Sequence, residues 1–423
     1  MNPSRQDGLK KTKRRVITKR GVLWLGQTCN QRCYFCYFID RIENHDHPEH
    51  AFMSLEKAKK ICHTLRYVYG NNAIDIQGGE PTVYREILEL VRYCREIGLI
   101  PTLITNGLAL SGPGQIEKYR DAGLRDFLVS LHGIGDIHDE VVRVKGAHKK
   151  IIAAIERMQA LNFPFRINCT MSKPVVPILP EVAQHAIQYG AYAVNFIAFN
   201  PFGDQEGKRR SDTVARYAEV AEKLTEAMDL LDAAGIETNV RYLPLCMAEE
   251  RHRKGFFNFQ QLTYDTHEWD FQSWAWTMRQ TQMRRDGDVM QPFFMGKPYG
   301  RELQNGDALY IRDHYERSPV IQGIKFAGQR TLAKIVQTLS GLDNVYREEA
   351  RIRAERDCHY QYHPACEGCA ARDICDGFHG DYAELFGTEE ARPITGVPRI
   401  QDPRHYIKDQ EKTVEPEDES WAL

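Results

Sequence analysis

Short apolar runs alternate with longer amphipathic stretches between residues 22 and 201. This alternation is typical of repeated strand and helix units that build a parallel sheet. The apolar runs predict six strands: Val22–Gly26, Ala73–Gln77, Ile100–Thr105, Phe127–Leu131, Phe165–Thr170 and Ala193–Phe199. The amphipathic stretches between them predict five helices: Leu55–Tyr69, Arg85–Ile97, Ile116–Ala122, Lys149–Leu161 and Leu179–Tyr189. We therefore expect an α/β fold, a partial (β/α)6 TIM-like barrel.

The pattern changes after the sixth unit. A helix at Asp212–Ala233 and an extra strand at Glu237–Leu243 are predicted next, and beyond residue 248 the alternation stops. The chain then carries many aromatic residues, which form either a lid over a substrate or ordinary core: Tyr264, Trp269, Phe271, Trp274 and Trp276. We divide the chain into a basic flexible start (1–20), a barrel (21–235), the extra strand with the aromatic-rich insertion and possible lid (236–345), a cysteine-rich region (346–390) and a surface-draped tail (391–423).

Polar or glycine residues stand at the carboxyl end of each predicted strand. They include Gly78-Gly79-Glu80, Asn106-Gly107, Ser130 and Asn168. The active site of a parallel barrel lies at the carboxyl ends of its strands, so these residues are expected to converge on one mouth. We interpret Asn106 as structural, because Asn-Gly is a favourable turn sequence.

Composition excludes several classes of function. The formal net charge is −2 with 27% charged residues, so no global field attracts nucleic acid or an anionic membrane. The basic residues before position 20 are interpreted as a solvated chain start. The chain contains no secretory signal and no apolar run long enough to span a membrane. Eleven cysteines in such a chain favour metal or redox chemistry in a reducing, cytoplasmic compartment.

Three of these cysteines, Cys29, Cys33 and Cys36, follow the first predicted strand with CX3CX2C spacing. Three thiolates can hold a four-iron cluster and leave one iron open to a small molecule. The alternative is zinc, with a histidine from the segment that carries His45, His47 and His50 as the fourth ligand. Cys62, Cys94 and Cys169 stand alone and are interpreted as core residues.

Four more cysteines lie within eighteen residues: Cys358, Cys366, Cys369 and Cys375. Four thiolates suit one closed four-iron cluster, and they suit a structural zinc site equally well. Cys246 follows the extra predicted strand. It could replace Cys358 as a ligand, donate a hydrogen atom as a catalytic residue, or simply pack.

The chain resembles the radical SAM superfamily in two motifs. The cysteine triplet fits CX3CXΦC with Phe35 as the aromatic residue, and Gly78-Gly79-Glu80 fits GGE. The resemblance implies a [4Fe-4S] cluster on Cys29, Cys33 and Cys36, with S-adenosyl-L-methionine on its open iron. It further implies that Phe35 rests against the adenine, that Gly78, Gly79 and Glu80 surround the amino group, and that Ser130 and Asn168 contact the cofactor.

The C-terminal cysteines resemble the SPASM or twitch-like extension of this superfamily, so the fold would end in an iron-sulfur extension at 346–390. The pattern CX2CX5CX3C has His379 in its fourth cysteine position, and we interpret His379 as a surface or supporting group rather than a ligand. The resemblance thus implies one second [4Fe-4S] cluster on Cys358, Cys366, Cys369 and Cys375.

The resemblance implies reductive cleavage of S-adenosylmethionine to a 5'-deoxyadenosyl radical, which takes a hydrogen atom from an unactivated carbon. The outcome would be oxidation, rearrangement or epimerisation, with a flavodoxin- or ferredoxin-type electron donor. Only about twenty residues precede the first predicted strand, too few for a leader-binding domain. We therefore expect a small-molecule biosynthetic intermediate as substrate, with a peptide as the alternative. A rival outside enzymes is an iron-sulfur or zinc redox scaffold.

Overall fold

The computed structural model describes residues 10–12, 20–36, 51–68, 71–200, 212–262, 289–290, 310–311, 335, 339 and 359–414. Its strands are β1 Lys10–Thr12, β2 Arg20–Trp24, β3 Ala73–Gln77, β4 Ile100–Thr105, β5 Asp126–Ser130, β6 Phe165–Met171, β7 Ala193–Ala198, β8 Glu237–Arg241, β9 Phe256–Phe257, β10 Val289–Met290, β11 Tyr310–Ile311 and β12 Lys412–Val414. The aromatic residues from 264 to 276, the histidines at 45, 47 and 50, and Cys358 lie outside the described residues.

Helices follow most strands of the barrel. They are α1 Leu55–His63, α2 Ile87–Glu96, α3 Gln115–Ala122, α4 Asp136–Val142, α5 Ala147–Ala160, α6 Leu179–Tyr189, α7 Tyr217–Ala233, α8 Phe259–Leu262 and α9 Gly380–Phe386. The helix predicted to run to Tyr69 changes at residue 64 into a π-helical turn, Thr64–Val68. The short helices α4 and α9 were not predicted, because seven residues give too few turns for a clear period.

Strands β2 to β9 form one sheet in which every neighbouring pair is parallel and the spatial order equals the chain order. Each crossover carries the chain one strand further in the same direction, as in a barrel. The predicted partial-barrel fold is therefore confirmed. Beyond the six strands of the predicted barrel, β8 is the predicted extra strand, which ends at Arg241 rather than Leu243. Strand β9 was not predicted, because it is only two residues long.

Burial explains the pattern that predicted these elements. Four of the five residues of β3 and of β5 are buried, as expected for parallel strands covered on both faces. In α2 the buried residues are Ile87, Leu90, Val91 and Cys94, the i, i+3, i+4, i+7 spacing of one helix face. Cys62 and Cys94 lie in this core with their sulfurs 3.7 Å apart, and Cys169 is also buried, so all three were correctly assigned to the core.

The two chain ends differ from the prediction. Residues 10–12 form β1, which pairs antiparallel with β12, and Arg20 is buried in an ion pair with Asp75 at 3.1 Å. Lys412 is also buried and donates to Glu237 at 2.9 Å. The flexible start was therefore wrong for residues 10–12 and 20, and the surface-draped tail was wrong for Lys412 and Thr413. Charged residues enter the interior here because each has a buried partner of opposite charge.

The amino ends of the strands are closed by polar contacts around Asp126. The Asp126 carboxylate accepts from Arg166 at 2.9 Å and from Thr102 at 2.5 Å. Burial opposes its charge, but Arg166 and Arg125 hold the pKa of Asp126 well below its ordinary value. The buried contacts of Asp126 therefore stabilise the amino end of the barrel. The functional face lies at the opposite end, where the strands have their carboxyl ends.

Candidate active site

The three cysteines of the triplet lie on the loop that follows β2. Backbone hydrogen bonds hold this loop: Gln27 and Thr28 both donate to the carbonyl of Ala51 at 3.1 Å, and Arg32 donates to the carbonyl of Val142 at 3.1 Å. All three cysteines are half-buried and unbonded to other cysteines. The loop therefore presents three thiols at the carboxyl end of the first barrel strand.

The thiols influence one another. Burial raises the pKa of Cys29 to about 12, with Glu80 and Cys36 adding to the effect, and burial together with Cys36 and Cys29 raises the pKa of Cys33. Without a metal the side chains of Cys29 and Cys33 are neutral thiols. A bound metal would remove their protons, since thiols that coordinate a cation are deprotonated. The donor set suits a soft metal centre.

The turn at Gly78 and Gly79 packs directly on the cysteine loop. The amide of Gly79 donates to the carbonyl of Gly26 at 2.7 Å, and the amide of Glu80 donates to the carbonyl of Thr28 at 2.8 Å. A methyl group on Gly79 would overlap the Thr28 carbonyl, and Gly78 has a φ of +149°. Both positions require glycine, because only a residue without a Cβ allows this approach.

The Glu80 carboxylate joins the ends of β3 and β4. Its Oε1 accepts from the amide and hydroxyl of Thr82 at 3.0 and 2.6 Å and from the hydroxyl of Thr105 at 2.7 Å. Its Oε2 accepts from the amide of Asn106 at 2.7 Å. Burial raises the pKa of Glu80 above its ordinary value, although these donors oppose the shift. Glu80 thus has a positioning role that the sequence did not predict.

Asn106 contacts the cysteine loop, which the sequence analysis missed. Its Nδ2 lies 2.6 Å from Oδ1 of Asn30 and 3.8 Å from Sγ of Cys29. The Asn-Gly turn signal concealed this contact, because a turn explained the residue without reference to a partner 77 positions away.

An aromatic cluster stands beside the triplet. The ring of Phe35 meets the ring of His132 edge-on with centroids 4.5 Å apart, and it meets Phe199 at 6.3 Å. Nδ1 of His132 accepts from the amide of Thr170 at 3.0 Å, which fixes the ring. Burial lowers the pKa of His132 well below its ordinary value, so this ring is neutral. His132 was not selected from the sequence, although it directly follows a strand end.

Ser130 and Asn168 are neighbours at the same mouth. They pair across β5 and β6, and both are half-buried. Oδ1 of Asn168 is buried and has no hydrogen-bond partner among the described residues. The structure therefore brings these two predicted residues together at the strand ends that also hold Glu80 and Asn106.

A second cysteine group lies against the segment after β8. Cys246, Cys366, Cys369 and Cys375 line one cavity together with Tyr362 and Phe378. Burial raises the pKa of Cys375 above its usual range, and Cys246 adds to the shift. In the described part of the chain, no three Cys, His, Asp or Glu side chains are arranged as ligands of a metal ion. The four thiols instead line the same cavity.

His379 is not a surface group. It is buried, and its Nδ1 accepts from the amide of Asp381 at 3.2 Å, which caps the start of α9. Burial lowers the pKa of His379 to about 3. The surface interpretation was therefore wrong: a neutral imidazole serves here as a helix cap, and its packing partner is the ring of Tyr360.

The fold and the triplet define a partial α/β barrel with a three-thiol site at the carboxyl ends of its strands. Residues 25–177 match the radical SAM superfamily, so this part of the chain is a radical SAM domain. Domains of this superfamily belong to enzymes that use a [4Fe-4S] cluster and S-adenosylmethionine. Two N–H donors lie beside the sulfur of Cys29, and the backbone at Gly78 and Gly79 packs too closely on the cysteine loop for a Cβ. Both features suit an iron-sulfur cluster with S-adenosylmethionine beside it. No helix in the described ranges is long and apolar enough to cross a membrane.

The chain is 29% identical over 186 residues to an AdoMet-dependent heme synthase of Oleidesulfovibrio alaskensis, covering 44% of this chain and 46% of the relative. It is 28% identical over 171 residues to a PqqA peptide cyclase of Rhodopseudomonas palustris, covering 40% and 44%. The structure of Streptococcus suis SuiB bound to S-adenosylmethionine resembles it with a TM-score of 0.44 at 18% identity, covering 53% and 50%. The chain thus spans about half the length of these relatives.

Proposed function

We propose that this chain reductively cleaves S-adenosylmethionine and uses the 5'-deoxyadenosyl radical to abstract hydrogen from an unactivated carbon of a small-molecule biosynthetic intermediate. One observation carries the proposal: the loop of Cys29, Cys33 and Cys36 is joined by backbone hydrogen bonds to the Gly79 and Glu80 turn. When bound, the cluster and S-adenosylmethionine supply the electron and the radical. The protein supplies binding, orientation and exclusion of water.

The residues of the mouth have separate roles in this proposal. Gly78 and Gly79 allow the amino group of the cofactor to approach the backbone. Phe35, held by His132, offers an apolar wall for the adenine, while Ser130 and Asn168 offer hydrogen bonds. Glu80 contributes a negative charge near the amino group, and the four donors already around it keep its carboxylate in place.

We further propose that a second [4Fe-4S] cluster is held by Cys246, Cys366, Cys369 and Cys375. The shared cavity of these four residues supports this set, in which Cys246 replaces Cys358. Such a cluster could bind substrate or accept an electron from a substrate radical, which would favour net oxidation. Structural zinc on the same thiols is the alternative, and iron and zinc analysis of the purified protein separates the two.

Two substrate classes have support among the relatives. The heme synthase relative favours a small molecule, and the PqqA peptide cyclase relative favours a peptide as the second candidate. A flavodoxin- or ferredoxin-type protein is proposed as the electron donor. Incubation with fractionated extracts of cells grown in deuterated medium identifies the substrate, because only a fraction that contains it transfers deuterium into 5'-deoxyadenosine. Label in a peptide fraction would reject the small-molecule proposal.

The radical reaction is tested by anaerobic reconstitution followed by addition of dithionite and S-adenosylmethionine. We expect 5'-deoxyadenosine from the wild type and none from a Cys33→Ala variant. Absence of the product from a fully iron-loaded wild type would reject the enzyme in favour of a redox scaffold. A Cys29/Cys33/Cys36 triple alanine variant then reports on the second site alone, where about four irons are expected.

A further inference from the structure

We propose that Asn106 tunes the reduction potential of the cluster at Cys29, Cys33 and Cys36 by donating a hydrogen bond to the Cys29 sulfur, and that Gln31 does the same at Cys33. The inference rests on the proposed cluster. It assigns a role to Asn106, which lies outside both motifs, and to Gln31, which occupies a variable position between Cys29 and Cys33. Hydrogen bonds to the cysteine sulfurs are among the features that set the potential of an iron-sulfur cluster.

The orientation of the Asn106 amide is fixed by its own contacts. Oδ1 accepts from the amide of Leu108 at 3.1 Å, so the oxygen faces away from the sulfur. Nδ2 has two hydrogens, and its two acceptors are Asn30 Oδ1 at 2.6 Å and Cys29 Sγ at 3.8 Å. Because the oxygen end is engaged, the end that faces Cys29 is the donor.

Glu80 holds Asn106 in this position. Its carboxylate accepts from the amide of Asn106 at 2.7 Å, and it is 1% exposed. The carboxylate therefore links the turn that packs on the cysteine loop to the side chain that donates to Cys29. Cys29 receives a second donor from the backbone amide of Gln31 at 3.4 Å, so two N–H groups point at one sulfur.

The Gln31 side chain lies beside the next cysteine. Its Oε1 is 3.5 Å from Sγ of Cys33, and its Nε2 is buried without a partner among the described residues. A Cys33 thiolate has no proton to donate, so an amide oxygen beside it would be repelled. Flipping the Gln31 amide places its N–H2 group beside the Cys33 sulfur in place of the oxygen. The thiolate can then accept a hydrogen bond from this group. Gln31 thus becomes the donor to Cys33 when a metal is bound.

The sign of the effect follows from charge. Reduction adds one electron to the cluster and its thiolates, and N–H donors stabilise the added negative charge. Removal of a donor therefore makes the reduced state less favourable and shifts the midpoint potential to a more negative value. The Asn106→Asp substitution would place a negative charge beside the Cys29 sulfur and shift the midpoint potential to a still more negative value.

The test is an EPR-monitored redox titration of the reconstituted protein without S-adenosylmethionine. The signal of the triplet is assigned by comparison with the Cys29/Cys33/Cys36 triple alanine variant. We expect the midpoint potential to be highest in the wild type, lower in Asn106→Ala and lowest in Asn106→Asp. We also expect a lower potential than in the wild type for Gln31→Met, which keeps the side-chain length without the donor. Asn162→Asp is the control, because this exposed asparagine precedes β6 at the opposite end of the barrel and should leave the potential unchanged.

Equal potentials in the wild type and in a fully loaded Asn106→Ala protein would overturn the proposal. Failure of Asn106→Ala to take up iron would also overturn it, because Asn106 would then be structural rather than tuning. A wild type that binds no iron at the triplet would instead reject the proposed function itself. Resonance Raman spectra give a second readout, in which the iron–sulfur stretching bands should shift in Asn106→Ala and not in Asn162→Asp.

Discussion

Gly79 and Thr28 are in backbone contact across the junction of the cysteine loop and the β3 turn: a methyl group on Gly79 would overlap the carbonyl of Thr28. We expect Gly79→Ala to open this junction, because the obstacle is backbone and cannot rotate away. Iron loading at the triplet should fall, and stability should decrease by about 2–4 kcal/mol in urea titrations. Gly112→Ala is the control, since its nearest atom would lie at an ordinary 3.6 Å. Normal iron loading in Gly79→Ala would contradict the argument.

Glu80→Gln removes the charge that four donors surround. The new N–H2 group faces those donors, so at least one hydrogen bond is lost and one buried donor is left unsatisfied. We expect a loss of about 1–3 kcal/mol in the free energy of unfolding. Glu56→Gln, at an exposed helix position, should change it by less than about 0.5 kcal/mol. An unchanged urea midpoint for Glu80→Gln would show that the carboxylate does not hold the two strand ends together.

Cys246→Ala and Cys358→Ala form a matched pair for the second site. If Cys246 is the fourth ligand, its removal should lower the iron content of that site and change its EPR signal. Cys358→Ala should retain the full iron content. Both variants are best made in the Cys29/Cys33/Cys36 triple alanine background, where only the second site contributes iron. The reverse result would restore Cys358 as the ligand.

Phe35→Leu removes the aromatic face that lies 4.5 Å from His132. Stacking of a base on an aromatic ring contributes roughly 1–3 kcal/mol, so we expect S-adenosylmethionine to bind about 5- to 150-fold more weakly to the iron-loaded variant. Isothermal titration calorimetry measures the affinity. Tyr67→Leu serves as the control, because that ring is 56% exposed. Equal affinities for Phe35→Leu and the wild type would place the adenine elsewhere.

His138 makes stability depend on pH. Its Nδ1 accepts from the amide of His132 at 3.0 Å, and burial lowers its pKa to about 4. The pKa of this histidine is therefore lower in the folded than in the unfolded state, where it is about 6.5. Its contribution of about 3 kcal/mol is present above pH 6.5 and is lost as the pH falls toward 4.

The measurement is the urea midpoint at pH 7 and pH 5 under anaerobic conditions. The wild type should lose more stability over this interval than His138→Asn, whose Oδ1 can still accept from His132. Some dependence should remain in the variant, because burial also lowers the pKa of His132 and of His379. Identical pH profiles for the two proteins would show that His138 does not titrate on unfolding.

Much of the barrel was predictable from local pattern. The bounds of β3 and β4 agree with the predicted strands, those of β6 and β7 differ by one residue at one end, and β5 is shifted by one residue at both ends. Buried parallel strands are predictable in this way because they are near-continuous apolar runs. The two-residue β9 and the strand pair β1 and β12 were missed. These strands are too short to show a hydrophobic period, and they form by pairing with strands distant in the chain.

The candidate site likewise contains some residues that the sequence selected and others that only the structure revealed. Cys29, Cys33 and Cys36 were selected by their spacing, because three cysteines close together on one loop leave a local signature. Asn106, His132 and Gln31 were not selected, since an asparagine, a histidine or a glutamine has no distinctive pattern. Of the two alternatives for His379, the surface position was wrong, because the sequence does not show that the chain buries this histidine as a helix cap.

The sequence by itself determined the class of fold and selected the cysteine triplet as the candidate site, because periodicity and cysteine spacing are properties of neighbouring residues. Only the tertiary structure decided which residues surround the triplet. The contact of Asn106 with Cys29 and the shared cavity of Cys246 with Cys366 and Cys375 join segments far apart in the chain. Such pairs form when strands align and bury their faces together, and no local pattern encodes them.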